Sequence, residues 1–219
     1  MKTYEEAIGV IEEIGLLPLA PLIPDFPSLN TITSPEYWHS ESEFAPWIWR
    51  TRFSTDGVAA YGKFIKKKSV LVSSQLLPYI KKVLGYTESI EERYFNGNVS
   101  KEAFEINKII GQEEGIDTRA LRIKAGLKER DKKKIFDNAL LELQGSIDIV
   151  ISGIQVKKNA EGEKNGWSST AFETYDSWAV RNTIDVINKD KEDARKYLLS
   201  FFSNICSDES IKKLEKIFV

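Results

Sequence analysis

The sequence predicts an α+β fold in which a small tryptophan-rich unit is packed with a winged helix-turn-helix domain, and helices close the chain. Three observations predict it. Apolar residues recur at helical spacing near both ends and through the middle. Two pairs of short segments, VAAYGKF with SVLVS and Ile147–Val156 with WSSTAFETY, read as strands. From Ser100 onward the order is helix, short helix, helix, strand, polar glycine-bearing loop, strand, which is the order of a winged helix-turn-helix.

Residues 3–15 begin with Thr3 and Glu6 in a T-x-x-E capping box, place Tyr4, Ala7, Ile8, Ile11 and Ile14 on one face, and stop at Gly15. In LPLAPLIPDFPSL, Pro18, Pro21, Pro24 and Pro27 recur every third residue, the period of a polyproline II helix. The intervening Leu, Ala, Ile and Phe, with no basic flank, favour an extended segment packed on its own domain over a ligand for a proline-recognising partner. Ser34-Pro35 starts a short helical turn holding Tyr37, Trp38 and His39. WIWRTRF after Pro46 alternates as a strand does, with Trp47 and Trp49 on one face and Arg50 and Arg52 on the other. VAAYGKF and SVLVS flank the basic run Lys66–Lys68, Ser73 caps a helix to about Leu84, and Glu88–Phe95 is helical. Asn96-Gly97-Asn98 is a turn that marks a boundary.

Ser100 then caps a helix ended by Gly115, and Asp117 caps a short one, DTRALRIKAG, closed by Gly126. A third runs from about Glu129 to Gln144 with Ile135, Phe136, Ala139, Leu140 and Leu143 on one face. Beyond the hairpin, Trp167 anchors its base and Asp176 caps the helix DSWAVRNTIDVIN. Two closing helices carry Leu198, Phe201 and Phe202 and then Leu214, Ile217 and Phe218 on apolar faces. Those faces suit a homodimer contact or packing back onto the first unit. The expected division is 1–96, 97–178 and 179–219.

The 219 residues hold 31 Lys and Arg against 33 Asp and Glu, a formal net charge of −2, so any preference for a polyanion must be local. It is local. Between Thr118 and Lys134 stand eight basic residues and only two acidic ones, Glu129 and Asp131, an excess of six positive charges. Arg119, Arg122, Lys124, Arg130, Lys132, Lys133 and Lys134 lie where a helix-turn-helix meets phosphates, and Asp137 and Asn138, one turn further, are placed to reach bases. The loop between the strands adds Lys157, Lys158, Lys164, Asn159 and Asn165 as a wing that follows the backbone. The competing account of such a charge run is the solvated face of a helix, or a contact with an acidic protein.

One cysteine, Cys206, excludes an internal disulfide, and with the single His39 it cannot build a Cys/His zinc site; no cofactor or metal is expected. The N-terminus lacks the uninterrupted apolar stretch of a signal peptide, and no apolar run approaches the roughly 20 residues that span a bilayer. The expectation is a cytoplasmic protein with no membrane partner.

The segment PEYWHSESEFAPWIWRTR holds three of the five tryptophans and the only histidine. Trp38, His39, Trp47, Trp49 and Arg50 form a candidate aromatic pocket, since tryptophan stacks on an unpaired base and arginine meets phosphate. Tryptophans are equally the means by which a small unit builds a core, with Trp47 and Trp49 inside and Trp38 and His39 nearer the surface. Nucleotide-loop, nucleophile-elbow and zinc-protease motifs are absent. Glu36, Glu41, Glu43 and Asp56 are the carboxylates near the aromatic segment that a water-activating reaction would draw on.

The pieces IDTRALRIKAGLKERDKKKIFDNALLELQGSIDIVISG and EKNGWSSTAFETYDSW resemble winged-helix proteins related to the bacterial DNA crosslink (alkylpurine) glycosylase superfamily. PEYWHSESEFAPWIWRTR and AAYGKFIKKKSVLVS look like the relatives grouped with those enzymes, so the likeness covers most of the chain. The enzymes of that superfamily carry a catalytic Q-x-Q pair. Here the glutamines are Gln75, Gln112, Gln144 and Gln155, and no two are two residues apart. The resemblance therefore implies fold and DNA binding, in regulation or repair-linked recognition, and transfers glycosylase activity to no residue. A diverged lesion-processing enzyme and a protein- or small-ligand-binding module are the alternatives.

Overall fold

A computed structural model describes residues 1–38, 40, 44–156 and 168–219. His39, Glu41, Glu43, Trp167 and the proposed wing residues Lys157, Lys158, Asn159, Lys164 and Asn165 lie outside the described residues.

The elements are α1 (Tyr4–Ile14), β1 (Leu16–Pro18), α2 (Leu29–Ile32), a 3-10 turn (Pro35–Tyr37), α3 (Pro46–Thr55), β2 (Ala59–Ile65), β3 (Lys68–Ser73), α4 (Leu77–Leu84) and α5 (Ile90–Phe95). They continue as α6 (Lys101–Gln112), β4 (Ile116–Asp117), α7 (Thr118–Lys124), α8 (Lys133–Gly145), β5 (Ile149–Gln155), β6 (Ser169–Thr174), α9 (Tyr175–Arg181), α10 (Lys191–Ser203) and α11 (Asp208–Glu215). The fold is α+β with one antiparallel sheet in the order β1-β3-β2-β5-β6-β4.

Helix ends follow local chemistry. Thr3 accepts the amide of Glu6, and Gly15 ends α1 at φ 70°, donating its amide to Ile11. A side chain there would meet Leu76, so glycine serves both the turn and the close approach. Ser100 and Asp117 cap α6 and α7 as their sequence positions foretold. The β2–β3 turn has positive φ at both Lys66 and Lys67, the geometry that matches strand twist.

The sheet buries both faces, and residue parity sorts its side chains. Tyr61, Leu71, Ile149 and Ile151 join one core with α1, α3, α6, α7 and α8. Ala60, Val70, Val72 and Val150 join another with α4, α9, α10 and α11. One strand pairing, Tyr61 opposite Ile151, carries the sheet from the first three strands into the last three. The apolar faces of α10 and α11 are covered by the chain itself, with Leu198, Phe202, Leu214 and Phe218 fully buried in that second core.

WIWRTRF is helical, where the alternation predicted a strand. Pro46 is pre-organised for a first helical turn, and Ala45, Trp49 and Phe53 are buried at four-residue spacing. Trp47 and Ile48 are both exposed, which places Trp47 outside the core that its strand assignment implied, while Trp49 is inside it. The arginines do not stand opposite the tryptophans: Arg50 lies over the Trp47 ring, three residues back on the same face. Further boundaries differ. Ser73 ends β3, and α4 starts at Leu77 with Leu76 as its N-cap and no side-chain cap. α9 is capped by Thr174 instead of Asp176 and ends at Arg181, because Thr183 turns at φ 54°. α8 begins at Lys133, so Ile135 sits in its first turn and is exposed while Phe136 is buried.

Candidate nucleic-acid interface

The basic segment occupies α7, the connection after it and the start of α8. Asp117 accepts the Arg119 amide at 2.7 Å, and the Thr118 hydroxyl donates to the carbonyl of Thr170 at 2.9 Å, fixing the start of α7 against β6. Leu121, Leu127 and Phe136 close the underside. Arg122 holds the turn from within: its guanidinium donates to the carbonyls of Leu127, Lys128 and Glu129 at 3.1 Å and lies over the Phe136 ring.

The remaining cations point outward. Arg119, Lys124, Lys128, Arg130, Lys133 and Lys134 are exposed, and Lys132 is half-buried. Lys124 pairs with Glu113, and Lys132 pairs with Glu129 at 3.4 Å while donating to the Gly126 carbonyl. Among the described residues Arg130, Lys133 and Lys134 form no ion pair. Asp137 and Asn138 are exposed one turn along α8.

α8 lacks the usual N-terminal chemistry. Its N-cap is Lys132 in a helical conformation, without a side-chain cap, and no acid stands in its first turn. The long helices α1, α6 and α10 each have a capping Thr, Ser or Asp and acids in the first turn. Lysines at a helix N-terminus oppose the macrodipole, and within the described residues the Glu129 pairing of Lys132 is the one ion pair that Lys132, Lys133 and Lys134 make. Sequence reasoning missed two neighbours, Ile123 and Ile135, exposed apolar side chains among these charges. A shallow cleft of about 620 Å³ beside α7 joins Thr118, Arg119, Ile123 and Lys128 to Ser169 and Thr170 of β6.

Of the described aromatic residues of this segment, Trp38 and Trp47 line one cleft and Trp49 does not. Trp49 is buried and Trp38 is half-buried, its indole donating to Thr33 at 2.9 Å. Trp38 and Trp47 line a cleft of about 490 Å³ with Leu19, Ala20, Asn30 and Pro35, a lining without a carboxylate among the described residues. Asp56 pairs with Arg52 at 3.2 Å and accepts from Tyr4, and Glu36 accepts from Ser34.

A second charged group lies beyond the other end of α8, unforeseen from sequence. Asp148 accepts from Arg93 at 2.7 Å, Lys81 at 3.2 Å and the Ser146 hydroxyl at 2.5 Å. Lys81 also donates to the carbonyls of Ser146 and Ile147, and its burial lowers its pKa against the opposing pull of Asp148. Nearby, burial and then Asp176 push the Tyr175 phenol up to about 12. No helix among the described residues is long and apolar enough to cross a membrane.

The model of the AlkZ-related family matches residues 1–219, so the chain belongs to that family, which relates it to the AlkZ DNA crosslink glycosylases and to DNA repair. No curated protein and no solved structure matches it.

Proposed function

We propose, from membership of the AlkZ-related family, that this chain binds duplex DNA through a winged helix-turn-helix within residues 97–178, as a recognition module in repair or regulation without catalysis of its own. The observation that carries it is the α7–α8 surface, where cations crowd the positive end of α8 with no side-chain cap and no acid in the first turn. The order α6, β4, α7, α8, β5, β6, with β5-β6-β4 adjacent in the sheet, supports the topology.

Arg119, Arg130, Lys133 and Lys134 contact phosphates, while Lys124 and Lys132 exchange Glu113 and Glu129 for them. Arg122 acts indirectly by setting the turn. Asn138 is suited to adenine and Asp137 to the amino group of cytosine, and Ile135 to a thymine methyl.

The test is a titration of a labelled duplex across a salt series. Affinity should fall steeply with salt, by about 0.9 in the logarithmic slope per phosphate neutralised. Absence of binding at low salt would overturn the proposal and turn the search to an acidic protein partner.

A further inference from the structure

Arg50 is a half-buried cation that pairs with no anion among the described residues. Its Nε is closed to solvent with no acceptor, and none of its nitrogens forms a hydrogen bond or ion pair among the described residues. Arg52, two residues on, meets Asp56; Arg93 meets Asp148; Arg181 grips Glu173; Arg195 donates to the Phe218 carbonyl at 2.6 Å. The Arg50 guanidinium lies 3.5 Å from the Trp47 centroid and 5.9 Å from that of Tyr61. Desolvation lowers its pKa, and Tyr61 is the group that opposes the shift. A desolvated guanidinium without a counterion costs stability, and a bound anion would relieve that cost.

Trp47, whose ring carries that guanidinium, is 45% exposed and lines the 490 Å³ cleft together with Trp38. The cleft is largely apolar, its polar groups being few, and Asn30 is among them. A flat aromatic group suits the indole walls, and a negative charge suits the cation behind one of them.

We propose that the cleft between Trp38 and Trp47 takes an unpaired nucleotide, its base against the indoles and its phosphate on Arg50. The proposal rests on the nucleic-acid reading for the choice of a nucleotide over other planar anions. The same chemistry is offered by a nucleotide displaced from a duplex and by a free nucleoside monophosphate, and the experiment separates them.

The full chain is titrated with a labelled blunt duplex, the same duplex with one unpaired thymidine, and that duplex with an abasic residue at the unpaired position. Thymidine monophosphate alone is followed by tryptophan fluorescence. Melting temperatures are recorded for wild type, Arg50→Gln and Trp47→Leu. The unpaired thymidine should strengthen binding by roughly fivefold to a hundredfold, the range one stacked base is worth. The gain should vanish with the abasic residue and in both variants, while Arg50→Gln melts no lower than wild type. Quenching by the monophosphate that is lost in Arg50→Gln would assign the site to free nucleotide as well, and would stand even if no duplex bound. Equal binding of all three duplexes without quenching by the monophosphate would overturn the proposal. So would an Arg50→Gln chain that keeps the preference, or one that melts several degrees lower, which would make the guanidinium a structural prop.

Discussion

Positive charge gathers beyond both ends of α8, and the two groups are treated in opposite ways. At the C-terminal end, Lys81 donates to the carbonyls of Ser146 and Ile147, and Lys81 and Arg93 converge on Asp148, whose amide bonds back to Leu143. Cations there favour the helix macrodipole, and every proton of the Lys81 ammonium has an acceptor. At the N-terminal end, Lys132, Lys133 and Lys134 stand against the same dipole, with one ion pair to Glu129 among the described residues. The first group ties α4 and α5 to the start of β5. The second opposes the dipole of the helix that carries it. Charge held against the local stability of its own helix points to an external anion, and this is the physical basis of the DNA-binding proposal.

The difference can be broken most forcefully at Asp148. Asp148→Asn leaves the buried guanidinium of Arg93 and the ammonium of Lys81 without their counterion and should cost about 3–5 kcal/mol by urea denaturation. A cost under about 1 kcal/mol would place that group on the surface in energetic terms and erase the contrast. Arg122→Met comes next. It removes charged hydrogen bonds to three carbonyls and should cost about 1.5–3 kcal/mol, with weaker duplex binding because the turn that aims α8 loosens. Weaker binding at unchanged stability would instead make Arg122 a direct phosphate contact.

A smaller effect sharpens the buried side. The folded Tyr175 phenol ionises near 12 where the unfolded one ionises near 10.0, so the unfolded chain releases that proton first. The stability it contributes is intact below pH 10.0 and is lost as pH rises to about 12. Tyr175→Phe should flatten part of that alkaline decline in a series of melts. Lys81, with its lowered pKa, works in the opposite direction up to 10.5, so the comparison is between Tyr175→Phe and wild type at each pH.

Much of the fold was legible because its signals are local. The caps Thr3, Ser100 and Asp117, the helix stop at Gly15, and the two strand pairs are set by residues within a few positions of one another. Residues 46–55 were misread for the same reason: W-I-W-R-T-R alternates locally, and only the tertiary burial of Trp49 and Phe53 selects a helix. The basic cluster was legible as composition, but the internal duty of Arg122 was not, since it depends on the path of the turn. The Asp148 group was invisible because its partners lie 67 and 55 residues away. Arg50 was paired in prospect with phosphate as one of several aromatic-segment residues; that its Nε has no acceptor among the described residues required the packing of α3 on β2.

The most direct measurement is to change Lys132, Lys133 and Lys134 together to Glu and determine duplex affinity and unfolding free energy on the same preparation. Duplex binding should fall by at least about tenfold at low salt and lose about half of its salt dependence, while stability holds or rises, because acids in the first turn suit the dipole. Unchanged binding, or a loss of stability comparable to that of Asp148→Asn, would contradict the account.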